Sequence, residues 1–294
     1  MHLQTVTHEI IIKLSINNRG TIRDNQEGNM NLVSITSGSS GNCIYAGTDN
    51  THILVDAGIS GKRIEEGLNS ICLKADELSG ILITHEHADH IAGIGVLARR
   101  YGIPMYATKG TIDGIRMAKS TGDIPDELFN VIRGDESFDI NDLHINAVNI
   151  SHDANEPVAY KISCGDRSAG ICTDLGTYND YIVNSFKDVN AILIEANHDV
   201  NMLQVGRYPY QLKRRILSDR GHLSNENSGR LLCRLLNDNM HTIMLGHLSE
   251  ENNLAELAYE TVRLEIMMNE CTYKPEDFDI LVASRKERSK LIAV

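Results

Sequence analysis

The sequence predicts an α/β fold in which two sheets are sandwiched between helices. Short apolar runs bounded by turn residues recur in both halves of the chain, and each half follows its strands with helical segments. Several of the apolar runs end on a histidine or an aspartate, which is where a sheet presents functional groups. At 294 residues and 41% hydrophobic composition the chain has enough apolar material for a substantial core. Its 28 basic and 40 acidic residues leave a net charge of −12. That balance argues against a basic nucleic-acid coat protein but leaves a nuclease open, because bound cations offset acidic ligands.

In the first half, Asn31–Thr36, Cys43–Gly47 and 52–56 read as strands, with the glycine-rich turn 37–42 between the first two. A helix over 64–70, a strand over 81–84, a helix over 91–101 and a strand over 105–107 follow. The second half repeats the grammar with strands over 143–150, 159–163, 169–173 and Ala191–Glu195. Long amphipathic helices are predicted over 224–237 and 253–269, then a last strand over 280–283. Asn253, with Glu256 three residues on, is expected to form a capping box.

Residues 1–29 are polar and irregular, with one β-like run at 9–14, and the character changes abruptly at Met30. Residues 26–29 fit translation of a purine-rich ribosome-binding stretch, so Met30 is a candidate natural start and 1–29 a non-native-looking extension. A genuine disordered tail is the alternative. The six cysteines, Cys43, Cys72, Cys164, Cys172, Cys233 and Cys271, form no C-x-x-C pair, which points to reduced thiols. No run approaches the roughly 18 apolar residues of a membrane span, and no signal-peptide core is present. The expectation is a soluble cytoplasmic protein with no membrane partner.

The chemistry concentrates in His85-Glu86-His87-Ala88-Asp89-His90, four metal ligands within six residues directly after a buried strand. Alternate residues of an extended segment point the same way, so His85 and His87 can grip one ion. The chain then turns into a helix, which lets Asp89 and His90 face a second. Imidazole and carboxylate ligands suit zinc, manganese or iron. This spacing is the H-x-H-x-D-H signature, and the chain resembles the metallo-β-lactamase superfamily, whose fold is a four-layer αββα sandwich. The resemblance implies that residues 30–294 form one hydrolase domain with two divalent metal ions, Zn or Mn foremost and Fe as a further candidate. It also implies that His152, Asp174 and His247 complete the ligand set and that Asp56 orients a ligand.

Two ions sharing a water would lower its pKa and supply a nucleophile at neutral pH. His198 and His222 are candidate catalytic helpers for a leaving oxygen or a phosphate. Ser40 and Asn42 in the glycine-rich turn, and Arg207, Tyr208, Lys213 and Arg214 in a basic segment interleaved with tyrosines, are candidate substrate contacts. The motifs around 38–43, 195–199, 221–225 and 246–253 resemble the YycJ/WalJ-type branch, which implies a 5′-to-3′ DNA exonuclease. The interval between Asp174 and His247 is too short for the large inserted domain of β-CASP nucleases. A small-molecule hydrolase such as a thioesterase, lactonase or cyclic phosphodiesterase is the alternative. The orientation of 207–215 separates the two, since a segment facing the metal cleft favours nucleic acid.

Overall fold

The computed structural model describes residues 30–269 and 272–294, so the reading of 1–29 lies outside the described residues. The first half builds β1 (Asn31–Thr36), β2 (Cys43–Gly47), β3 (His52–Val55), α1 (Gly61–Asn69), β4 (Gly80–Leu82), α2 (Ala88–Ile91), α3 (Ile94–Tyr101), β5 (Met105–Thr108), α4 (Lys109–Met117) and β6 (Phe129–Ile132). The second builds β7 (Ser137–Ile140), β8 (Leu143–Asn149), β9 (Val158–Cys164), β10 (Arg167–Cys172), α5 (Asp180–Ser185) and β11 (Ala191–Glu195). It continues through α6 (Val200–Val205), α7 (Tyr210–Ile216), α8 (Asn225–Leu235), β12 (Thr242–Gly246), α9 (Ala255–Met268), β13 (Asp279–Val282) and β14 (Ile292–Ala293). Among the described residues one sheet runs β14-β1-β2-β3-β4-β5-β6 and the other β13-β12-β11-β10-β9-β8-β7. The expected sandwich is present.

Side chains along these strands alternate between two cores, which explains their nearly continuous apolar sequences. In β3, Ile53 and Val55 enter the layer between the sheets while Leu54 packs under α1 and α3. In β11, Ala191 and Leu193 face the inter-sheet layer, and Ile192 and Ile194 pack against α8 and α9. Tyr160, fully buried on β9, crosses between the sheets and donates its hydroxyl to Ile83 O at 2.8 Å. Val158 N donates to Thr84 O at 3.0 Å. The second sheet therefore holds the segment that leads into His85.

Two expectations need correction. The helix read over 91–101 is broken into α2 and α3, because Gly93 N turns away to donate to Ala57 O at 2.7 Å. A Cβ at Gly93 would stand 2.4 Å from Ile59 O, so this backbone contact needs a glycine. The capping box at Asn253 does not form: Leu254 occupies the N-cap of α9 without a side-chain bond. Asn253 Nδ2 instead donates to Ala196 O, Asn197 O and Asn225 Oδ1, tying α8 to the end of β11. No helix among the described residues is long and apolar enough to cross a membrane.

Removing the Tyr160 hydroxyl leaves Ile83 O buried without its partner. Tyr160→Phe should cost about 1–3 kcal/mol in denaturant unfolding at constant slope; an unchanged midpoint would contradict this role.

Candidate metal centre

The site lies at the ends of β3 and β4 in one sheet and of β10 and β12, which flank β11, in the other. Asp56 follows β3, residues 85–90 follow β4, Asp174 follows β10 and His247 follows β12. Asp56, Asp174 and His247 all adopt left-handed backbone, with φ of 61, 57 and 54°. Each costs about 1–2 kcal/mol for an L-residue, so neighbouring bonds must hold it there. Asp56 N donates to Leu82 O at 2.8 Å, and His247 N donates to Ser37 Oγ at 2.9 Å. The turn at each strand end lifts a side chain off the sheet and into one common space.

Three histidine nitrogens converge on one side of that space. His87 Nδ1 lies 3.0 Å from His85 Nε2 and 3.3 Å from His152 Nε2. The far nitrogen of His152 meets Gly221 O at 3.1 Å, which sets the tautomer that leaves Nε2 as a lone pair facing inward. His85 Nδ1 is held 3.0 Å from Thr84 Oγ1. On the other side, His90 Nε2 lies 3.5 Å from Asp89 Oδ2, and His247 Nε2 lies 4.0 Å from that same oxygen. Asp174 stands between the two groups, with Oδ1 3.7 Å from His152 Nε2 and 3.2 Å from His247 Nε2. Its Oδ2 is 3.2 Å from His90 Nε2 but forms no aligned hydrogen bond, although the residue is buried.

A buried carboxylate oxygen without a bond, amid inward-facing imidazole nitrogens, is a donor set that fits divalent cations. His85, His87 and His152 form one candidate cluster, and Asp89, His90 and His247 another. Asp56 carries the second group from outside. Its Oδ2 accepts from His90 Nδ1 at 2.7 Å, and its Oδ1 accepts from Thr84 N at 2.8 Å.

Burial works against charge on His90, yet the carboxylates of Asp56, Asp174 and Asp89 hold it well above the usual histidine range. Burial opposes ionisation of Asp174 too, but His247 and His90 keep its carboxyl well below the usual range. Burial, with His90 adding repulsion, pushes His85 well below its ordinary value. One cage thus combines strongly opposed titrations, as close-packed buried imidazoles and carboxylates impose on one another. Cys172 is buried, and that burial pushes its thiol well above the ordinary range, as for a strand residue and not a thiolate ligand.

The remaining candidates are placed as follows. His222 sits at the cage rim, with Nδ1 2.8 Å from Glu195 Oε1 and 3.6 Å from Asp174 Oδ1. Burial opposes its charge, but Glu195 raises it to about 9. His198 is set further back, and burial lowers it to about 4. Asn42 is buried, with Nδ2 2.9 Å from His247 Nδ1, behind that ring, and 3.2 Å from His90 Nε2, the nitrogen that faces the cage. Ser40 in the same turn is exposed. Lys213 Nζ is committed to the carbonyls of Gln204 and Gly206, joining α6 to α7. Arg207 and Arg214 are exposed, and Tyr208 is half-buried.

Residues not predicted as ligands, catalysts or substrate contacts complete the support. Thr84 Oγ1 donates to Asp56 at 2.9 Å, and Glu195 accepts from Leu175 N and Leu223 N as well as from His222. Arg215 forks onto Asp153, beside His152, and Arg220 donates to His152 O at 3.1 Å. Glu195 carried a sequence signal as a carboxylate closing a wholly apolar strand, and Arg215 as the end of the basic segment 207–215.

A model of the beta-lactamase superfamily domain matches residues 51–243. The chain belongs to that superfamily. Within it, the chain is 43% identical over 229 residues to exodeoxyribonuclease YycJ of Bacillus anthracis, covering 78% of this chain and 86% of the relative. It is 42% identical over 228 residues to exodeoxyribonuclease WalJ of Streptococcus pneumoniae serotype 2 (strain D39), covering 78% and 85%. The superfamily fold is also that of the crystal structure of YhfI from Bacillus subtilis, with a TM-score of 0.66 at 15% identity over 90% of this chain and 99% of the other. The chain is a hydrolase of the YycJ/WalJ branch, and its ligand clusters are candidates for divalent metal ions.

Titrating metal-free protein with Mn²⁺ should reveal two binding events. Asp56→Asn should weaken one of them roughly 10–100-fold, as expected when a carboxylate behind a ligating histidine is neutralised. Two events with unaltered affinities in the variant would contradict the assignment.

Proposed function

We propose that the protein is a two-metal phosphodiesterase acting as a 5′-to-3′ DNA exonuclease. The observation that carries this reading is the position of Arg215. It brings the basic α7 segment to the cleft by pairing with Asp153, one residue from His152, and its charge also feels Asp89 and Asp174. A cation at the mouth of an acidic metal cage suits a polyanionic substrate better than a neutral thioester or lactone. The exposed Tyr210 lies beside Arg214 and Arg215, a combination suited to a phosphate backbone with unstacked bases. The names of the YycJ and WalJ relatives support DNA as the polymer and exonucleolytic attack, and the 5′-to-3′ polarity follows the resemblance to that branch.

In this reading His85, His87 and His152 would hold one cation and Asp89, His90 and His247 the other, with Asp174 a further candidate ligand between the two groups. When bound, the cations supply Lewis acidity toward a phosphate and a water that loses its proton near neutral pH. The chain's own groups do the rest. His222 is kept protonated by Glu195 on Nδ1, so Nε2 is the atom that can give a proton to the leaving oxygen. Arg215 draws the strand into the cleft. His198 serves the substrate from further back.

Purified protein with Mn²⁺ should shorten 5′-end-labelled DNA to labelled mononucleotides, and Asp89→Ala should lose nearly all of that activity. Arg207→Ala combined with Arg214→Ala should weaken DNA binding at all sequences and lower the salt-dependence slope by about 2. Absence of DNA cleavage, or release of internal fragments first, would overturn the exonuclease assignment.

A further inference from the structure

A pocket of about 400 Å³ opens directly beyond His222, away from the metal cage. His222 is common to both, since its Nδ1 is 3.6 Å from Asp174 while the ring lines the pocket. The wall beside His222 is closed by backbone. Gly176 N donates to Ser151 O at 2.8 Å, and a Cβ on Gly176 would stand 2.3 Å from Asp219 O, so nothing passes between these loops. The space falls near the lower end of the roughly 300–1,000 Å³ typical of small-ligand sites, room for one nucleoside and not for a continuing chain.

The lining is specific in its chemistry. Val200, Leu217 and Leu223 provide apolar surface for a flat ring. His198 lines the pocket, is 1% exposed, and its Nε2 has no hydrogen-bond partner. The Asn197 amide donates Nδ2 to His247 O at 2.9 Å, which turns Oδ1 toward His198 Nδ1 at 3.3 Å. That oxygen makes Nδ1 the protonated nitrogen and leaves Nε2 a bare acceptor. Asp219 adds a carboxylate, and no lysine or arginine is among the described lining residues. The start of α8 also borders the space, but Ser224 Oγ already accepts from Asn227 N there. The bare His198 Nε2, set among Val200, Leu217 and Leu223, suits a donor-bearing edge of a base or sugar, and His222 borders the same space on its cage side.

We infer that this pocket receives the terminal nucleoside of the strand being degraded, reading its base and sugar while any terminal phosphate points to solvent. The inference rests on the exonuclease reading. It explains why attack is confined to an end: a pocket of this size admits one residue on the leaving side of the bond, next to His222. It also assigns His198 Nε2 as a binding atom for a donor on that nucleoside.

The test compares oligodeoxynucleotides ending in a 5′-hydroxyl, a 5′-phosphate or a 5′-abasic residue, together with bis(p-nitrophenyl) phosphate as a small diester. The first two should be degraded with first-turnover kcat/KM within threefold of each other, and the abasic end at least tenfold more slowly. Thr177→Trp, at an exposed position on the pocket rim, should lower the ratio of oligonucleotide to small-diester hydrolysis at least tenfold. His198→Phe should lower the same ratio. A tenfold requirement for the 5′-phosphate, or indifference to the abasic end and to Thr177→Trp, would overturn the pocket assignment while leaving the exonuclease standing. Loss of all oligonucleotide cleavage by the unmodified protein would instead remove the reading on which the pocket depends.

Discussion

The Asp56 carboxylate is the point on which the site depends. From the end of β3 it accepts from Thr84 N, Thr84 Oγ1 and His90 Nδ1 within 2.7–2.9 Å, and it is almost wholly buried. One side chain thus ties a central strand to the start of the metal motif and to the histidine six residues into it. A buried carboxylate survives only with such partners, and here the partners are the ligand-bearing segment itself. Packing of the two sheets through Tyr160 fixes the same segment from the opposite side.

The strand ends show where stability yields to function. Left-handed backbone at Asp56, Asp174 and His247 is unfavourable, and all three residues belong to the cage. Each turn aims one side chain across the open edge of the sandwich. Gly58 permits the same crowding. A Cβ there would lie 1.6 Å from Asp89 O, because Asn42 N and Gly58 N knit the glycine-rich turn onto the metal loop. That turn was expected to offer Ser40 and Asn42 to a phosphate. In the structure its backbone and the Asn42 amide contact His90, His247 and Asp89, and Ser39 and Ser40 remain open to solvent.

Much of this was legible because the ligands punctuate buried strands. His85–His90, Asp174 and His247 each follow a run of apolar residues, so strand and site are announced together. What escaped has physical causes. Strands β6 and β7 terminate their sheets at the exposed edge and lack continuous apolar runs. The break at Gly93 depends on a carbonyl from a distant loop. Lys213, Arg214 and Arg215 are adjacent in sequence, yet helical geometry sends Lys213 to backbone carbonyls and Arg215 to Asp153. No periodicity in the chain distinguishes those fates. The partnership of Glu195 with His222 spans 27 residues and emerges only when β11 and the loop before α8 meet.

Two separate ligand triads, joined by Asp174, are proposed to hold two cations. Anomalous diffraction at the manganese edge, from crystals grown with Mn²⁺, tests this most directly. Two peaks about 3.5–4 Å apart are expected, one among His85, His87 and His152 and the other among Asp89, His90 and His247. A single peak, or a peak ligated by Glu195 and His222 in place of either triad, would contradict it.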